Sequence, residues 1–178
     1  MKSSEIEILA LTQTTLRGEI QENFQEYSMI GKGREKLTRQ GGGIGIIYNH
    51  SKGLSLEQLD INKEEIEGED IAVFKSHGLR GKGKERDLII IVCYMTVEGP
   101  NAIENNAKYR ILQDLVRHFQ SERIIVLGDM NGHTGILGEM SNGNWNRLLD
   151  FAEVTDLEIL NHTIAEGRVG NLVEWEYR

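Results

Sequence analysis

The chain is poor in cysteine, in proline and in positive charge, and each shortage removes a class of answer. Its single cysteine, Cys93, sits inside an apolar run. A disulfide framework is therefore excluded, and a reduced compartment fits. With one proline, Pro100, and no repeat or low-complexity segment, no proline-rich linker divides the chain. The formal net charge is -8 and the pI about 5.2, which argues against a broad basic nucleic-acid surface while leaving room for local basic loops. Met1 to Glu7 is polar and charged, without the apolar core of a signal peptide. No run approaches transmembrane length. These absences predict a soluble intracellular protein, nuclear or cytoplasmic, not secreted and not bound to a membrane.

What remains suits one globular domain. A length of 178 residues with 39% hydrophobic content supports a single core over 1–178. Its 20 glycines suit tight loops between short strands. Strands are predicted at Ile6–Leu11, Phe24–Ile30, Ile44–Tyr48, Leu54–Ile61, Asp70–His77, Leu88–Tyr94, Arg123–Leu127 and Leu157–Leu160. The strands at Leu54–Ile61 and Asp70–His77 read as part of a hairpin-like meander. Apolar residues at Ala107, Ile111, Leu112, Leu115, Val116 and Phe119 predict a helix over Asn105–Phe119. A second helix, Asn146–Val154, should turn Leu148, Leu149, Phe151 and Ala152 inward. Strands first and alternating helices later suggest an α/β sandwich rather than a doubly wound sheet.

The most informative stretch is Arg123-Ile124-Ile125-Val126-Leu127-Gly128-Asp129-Met130-Asn131-Gly132-His133. Its apolar run predicts a strand buried on both faces. Beyond the strand stand a carboxylate, an amide and an imidazole, where open α/β sheets bind ligands. A spacing of two would put Asp129 and Asn131 on one side of an extended segment. The plainer reading is a turn, because Asp, Asn and Gly bond the local backbone.

Gly128-Asp129-Met130-Asn131 resembles the Gly-Asp-(apolar)-Asn motif of the endonuclease/exonuclease/phosphatase family. Leu88–Tyr94 resembles that family's apolar strand ending in Tyr, and Gly143 to Ala152 its Asn-Gly-x-x-Leu-x-x-Phe helix. With Arg17 to Phe24 and Asp156 to Thr163, the likeness points to LINE-type retrotransposon endonucleases, including those labelled craniofacial development protein-like. It spans nearly the whole chain.

The resemblance implies an incomplete four-layer α/β sandwich of DNase I type: two mixed β-sheets flanked by helices, truncated at both ends. It implies a metal-dependent phosphodiesterase acting on DNA, with Mg²⁺ or Mn²⁺ as cofactor. Tyr94 would contact a phosphate oxygen, Asp129 would orient or deprotonate the attacking water, and Asn131 would hold phosphate and water in line. The family's metal-binding Glu falls on Gln13, which can offer an oxygen but no charge. The closing Ser-Asp-His motif is not found before Arg178. Weak or absent activity is the expectation. The alternative is a decayed or domesticated domain that binds DNA or a protein. Two basic loops are candidate phosphate contacts: Lys32, Arg34, Lys36 and Arg39 in one, Arg80, Lys82, Lys84 and Arg86 in the other.

Overall fold

The computed structural model describes residues 6–33, 42–61, 70–77, 87–97, 99, 102–133 and 141–160. Two four-stranded sheets form the frame. The first contains β1 (Ile8–Thr12), β2 (Glu19–Phe24), β3 (Tyr27–Lys32) and β4 (Ile44–Asn49), in the order β1-β4-β3-β2. All its pairings are antiparallel. The second contains β5 (Ser55–Leu59), β6 (Ile71–His77), β7 (Leu88–Tyr94) and β8 (Arg123–Asp129), in chain order. Here β5, β6 and β7 form an antiparallel meander, and β7 pairs with β8 in parallel. The crossover between these parallel strands carries α1 (Ala102–His118), and α2 (Gly143–Thr155) follows β8.

Strand β7 shows why its sequence is apolar without alternation. Ile90 and Val92 face the first sheet, among Ile44, Ile46 and Phe74. Ile89, Ile91 and Cys93 face the helices, among Leu112, Leu115 and Phe151. Both faces are covered, so every position must be apolar. The described residues form an α/β sandwich of sheet, sheet and helices.

Several details depart from the sequence reading. The expected strand Phe24–Ile30 is two strands, folded back at Gln25 and Glu26 so that Phe24 pairs with Tyr27. Gln25 takes the positive φ of 51° usually given to glycine, so the hairpin carried no turn signature. Strand β8 is half-buried rather than buried on both faces. Among the described residues it has one paired neighbour, and the layers cover its edge position only in part. In α1 the inward stripe is Asn105, Lys108, Tyr109, Leu112, Leu115 and Val116, and Ala107 faces solvent. In α2 Leu149 is exposed while Asn144 is buried. Leu157–Leu160 is not a strand. Asp156 ends α2 in the left-handed region, and the Leu157 N–H turns back onto the Ala152 carbonyl at 3.0 Å. No described helix is long and apolar enough to cross a membrane.

Candidate active site

The carboxyl ends of β7 and β8 carry the densest set of buried polar side chains among the described residues. The register makes Tyr94 and Asp129 lateral neighbours. They continue the rows of Ile90 and Val92 and of Ile125 and Leu127, which face the first sheet. One position earlier, Gly128 lies opposite Cys93 with φ 139°, and a Cβ there would stand 1.8 Å from the Cys93 carbonyl oxygen. Only glycine fits that approach. Gly128 therefore lets β8 stay paired up to the residue that matters. The ladder closes with the Met95 N–H donating to the Asp129 carbonyl at 2.8 Å.

Beyond Asp129 the chain turns instead of extending. Asn131 sits at φ 45°, so it does not share one side of a strand with Asp129. Its backbone N–H donates to Asp129 Oδ1 at 3.0 Å, and its Nδ2 donates to the Met95 carbonyl at 2.6 Å. The turn and the site are thus the same residues. Asp129 is exposed, and Tyr94 and Asn131 are half-buried.

Three asparagines fix this turn from behind. Asn142 caps α2 by accepting from the Trp145 N–H at 2.9 Å, and its Nδ2 donates to the Asn131 carbonyl at 2.8 Å. Asn144, wholly buried, donates to the carbonyls of Thr96 and Asn131 at 3.0 and 3.3 Å. Asn105 on α1 accepts from the Thr96 N–H and donates to the Thr96 carbonyl and Asn144 Oδ1. Both helices are thereby tied to both strand ends. Nothing apolar marks Asn105 and Asn144, so hydropathy missed them. Their place on the buried stripe of each helix was the available signal.

Lys108 was missed for the same reason. Its ammonium donates to Asp70 Oδ2 at 2.7 Å, to the Tyr94 carbonyl at 3.1 Å and to Thr96 Oγ1 at 3.2 Å. Both side chains of the Lys108–Asp70 ion pair are 10% exposed. The dryness that makes this pair close also shifts its neighbours. Burial pushes the Cys93 thiol up to about 12, and the Asp129 carboxylate pushes it the same way against the pull of Lys108. Burial raises the Tyr109 phenol as well.

The other expected site residues stand apart. Gln13 leaves β1 exposed, at φ 53°, and no hydrogen bond or ion pair joins it to Tyr94, Asp129 or Asn131. Lys32 ends β3 in the first sheet, in register with Glu19 and Ile44. Arg34, Lys36, Arg39, Arg80, Lys82, Lys84 and Arg86 lie outside the described residues. Among the described residues no group of three or more His, Cys, Asp or Glu is placed to hold a metal ion. Asp129 is the one carboxylate among Tyr94, Asp129 and Asn131.

Among the described residues a shallow depression at the β2–β3 turn, lined by Asn23, Phe24, Gln25, Ser28 and His50, pairs a serine with a histidine. Ser28 Oγ donates to Asn23 Oδ1 at 2.6 Å and meets His50 Nδ1 at 2.9 Å. With its proton on Asn23, the hydroxyl accepts from the imidazole, so His50 cannot activate it.

The chain matches no protein-family model, no curated protein and no solved structure. The chemistry of the strand ends therefore stands on their own geometry. A phenol, an exposed carboxylate and an anchored amide can together orient a water and hydrogen-bond a phosphate oxygen. They lack the positive charge that would neutralise it.

Proposed function

We propose that this chain is a phosphodiesterase domain of low activity, of the endonuclease/exonuclease/phosphatase type, acting on DNA at Tyr94, Asp129 and Asn131. The carrying observation is the lateral pairing of Tyr94 with Asp129 at the carboxyl ends of the parallel strands. Open α/β sheets place their chemistry there. The Tyr94 phenol donates to a phosphate oxygen, stabilising charge that builds during attack. Asp129 keeps a carboxylate oxygen exposed to solvent and takes a proton from water. Asn131, one Nδ2–H held on the Met95 carbonyl, donates its second Nδ2–H to the phosphate. Low activity follows from Gln13 at the position where the family has a metal-binding Glu, and from Asp129 being the one carboxylate among Tyr94, Asp129 and Asn131.

The test is nicking of supercoiled plasmid with Mg²⁺ or Mn²⁺ by the chain, by Asp129→Ala and by Gln13→Glu. Slow nicking abolished in Asp129→Ala supports the reading. Inertness of the chain and of Gln13→Glu alike overturns it.

A non-catalytic domain that binds DNA or a protein is the second reading. It is favoured by the bond from the Asn131 N–H to Asp129 Oδ1, which makes the motif a satisfied turn. Its mark would be an inert chain that still retards DNA on a gel, with strong salt dependence.

A further inference from the structure

We propose that Lys108 is a positioning residue that holds the Tyr94 phenol in its place beside Asp129. This rests on the reading of Tyr94 as a phosphate contact. A lysine on the buried stripe of α1 is an expensive choice for packing alone, because it needs Asp70 brought in with it. All three ammonium hydrogens have acceptors, and two of them belong to the end of β7: the Tyr94 carbonyl and Thr96 Oγ1. The same nitrogen lies 5.8 Å from the centroid of the Tyr94 ring, within range of attraction to its π face. The Tyr94 N–H is held in turn by the Asp70 carbonyl at 2.8 Å. Lys108 and Asp70 therefore grip Tyr94 at its N–H, its carbonyl and its ring. Because Lys108 pairs with Asp70, its charge is already answered inside the fold, which suits placement of a neighbour better than capture of a phosphate.

The experiment uses the full chain with Tyr94→Phe, with Asp70→Asn/Lys108→Met, and with the three changes together. Lys108→Met alone would take the cation of the ion pair from a buried carboxylate, so the neutral pair is the informative variant. Chains labelled with ¹³C in the tyrosine rings report placement directly, the Tyr94 signal being the one lost in Tyr94→Phe. In the neutral-pair variant that signal should move while the Tyr48 signal, from the core between the sheets, stays. Nicking should fall on the order of 10- to 100-fold in kcat with KM nearly unchanged. In the Tyr94→Phe background the neutral pair should cause no further loss, since it acts through the phenol. An unmoved Tyr94 signal, or losses that multiply, overturns the proposal. If no form nicks but the Tyr94 signal moves, the phosphodiesterase reading falls and the placement by Lys108 stands.

Discussion

Asn131 Nδ2 donates to the Met95 carbonyl at 2.6 Å, and this bond ties the residue after β7 to the turn after β8. The asparagine thus does structural work before any ligand arrives. Its backbone at φ 45° adds a second demand, since alanine is strained there and glycine is not. Asn131→Ala should lose about 1–3 kcal/mol of stability from the unanswered carbonyl, with backbone strain added. Asn131→Gly should be the milder variant. Urea unfolding of the two orders them, and an Ala variant as stable as wild type would deny the bond its role.

Gly128 is the narrowest constraint at the strand ends. A methyl group at 1.8 Å from the Cys93 oxygen must push β8 away from β7. Gly128→Ala should therefore cost more than about 3 kcal/mol, combining overpacking with strain at φ 139°. Thermal unfolding followed by circular dichroism would show the loss. Gly53, with φ 79° and nothing within reach of an added Cβ, is the control, and Gly53→Ala should cost clearly less.

How much of this was legible depended on whether hydropathy carried the signal. The run Leu88–Tyr94 read as a fully apolar strand, and in the structure both its faces are covered, whereas the both-faces reading of Arg123–Leu127 did not hold. The meander of β5, β6 and β7 and both helices followed from periodicity. The polar interior did not. Asn105, Lys108 and Asn144 lie on buried stripes but read as surface residues. Their burial is stabilised by partners distant in sequence, such as Asp70 for Lys108, which no local pattern displays. The β2–β3 hairpin was hidden by Gln25, a residue that turns seldom choose at positive φ. At the site, Tyr94, Asp129 and Asn131 do come together, while Gln13 and Lys32 show no bond to them.

The Lys108–Asp70 pair sets a clear order among three variants. Removing the cation alone leaves a carboxylate that is 10% exposed without its charge partner, a loss of about 3–5 kcal/mol. For a chain of this size that lowers the melting temperature by about 10 °C or more. Asp70→Asn/Lys108→Met removes both charges and should recover most of the loss. Calorimetry of Lys108→Met, Asp70→Asn and the double variant gives the coupling, and strictly additive effects would show that the two groups do not act as a pair.

Cys93 makes stability depend on pH from the alkaline side. In the unfolded chain its thiol ionises near 9.0, whereas in the fold burial holds the proton until about 12. Between these values the unfolded state releases a proton that the native state keeps, so rising pH favours unfolding. The full stabilisation is present below pH 9 and is lost progressively toward pH 12. The slope is about 1.4 kcal/mol per pH unit. Tyr109, whose phenol burial also raises, steepens the fall above pH 10. Comparison with Cys93→Ala isolates the thiol: from pH 8 to pH 10 the stability of wild type should drop by about 1.4 kcal/mol relative to the variant. Urea midpoints at the two pH values measure it directly. A difference that does not change with pH would mean that the thiol ionises as readily in the fold as outside it, and that solvent reaches the layer between β7 and α1.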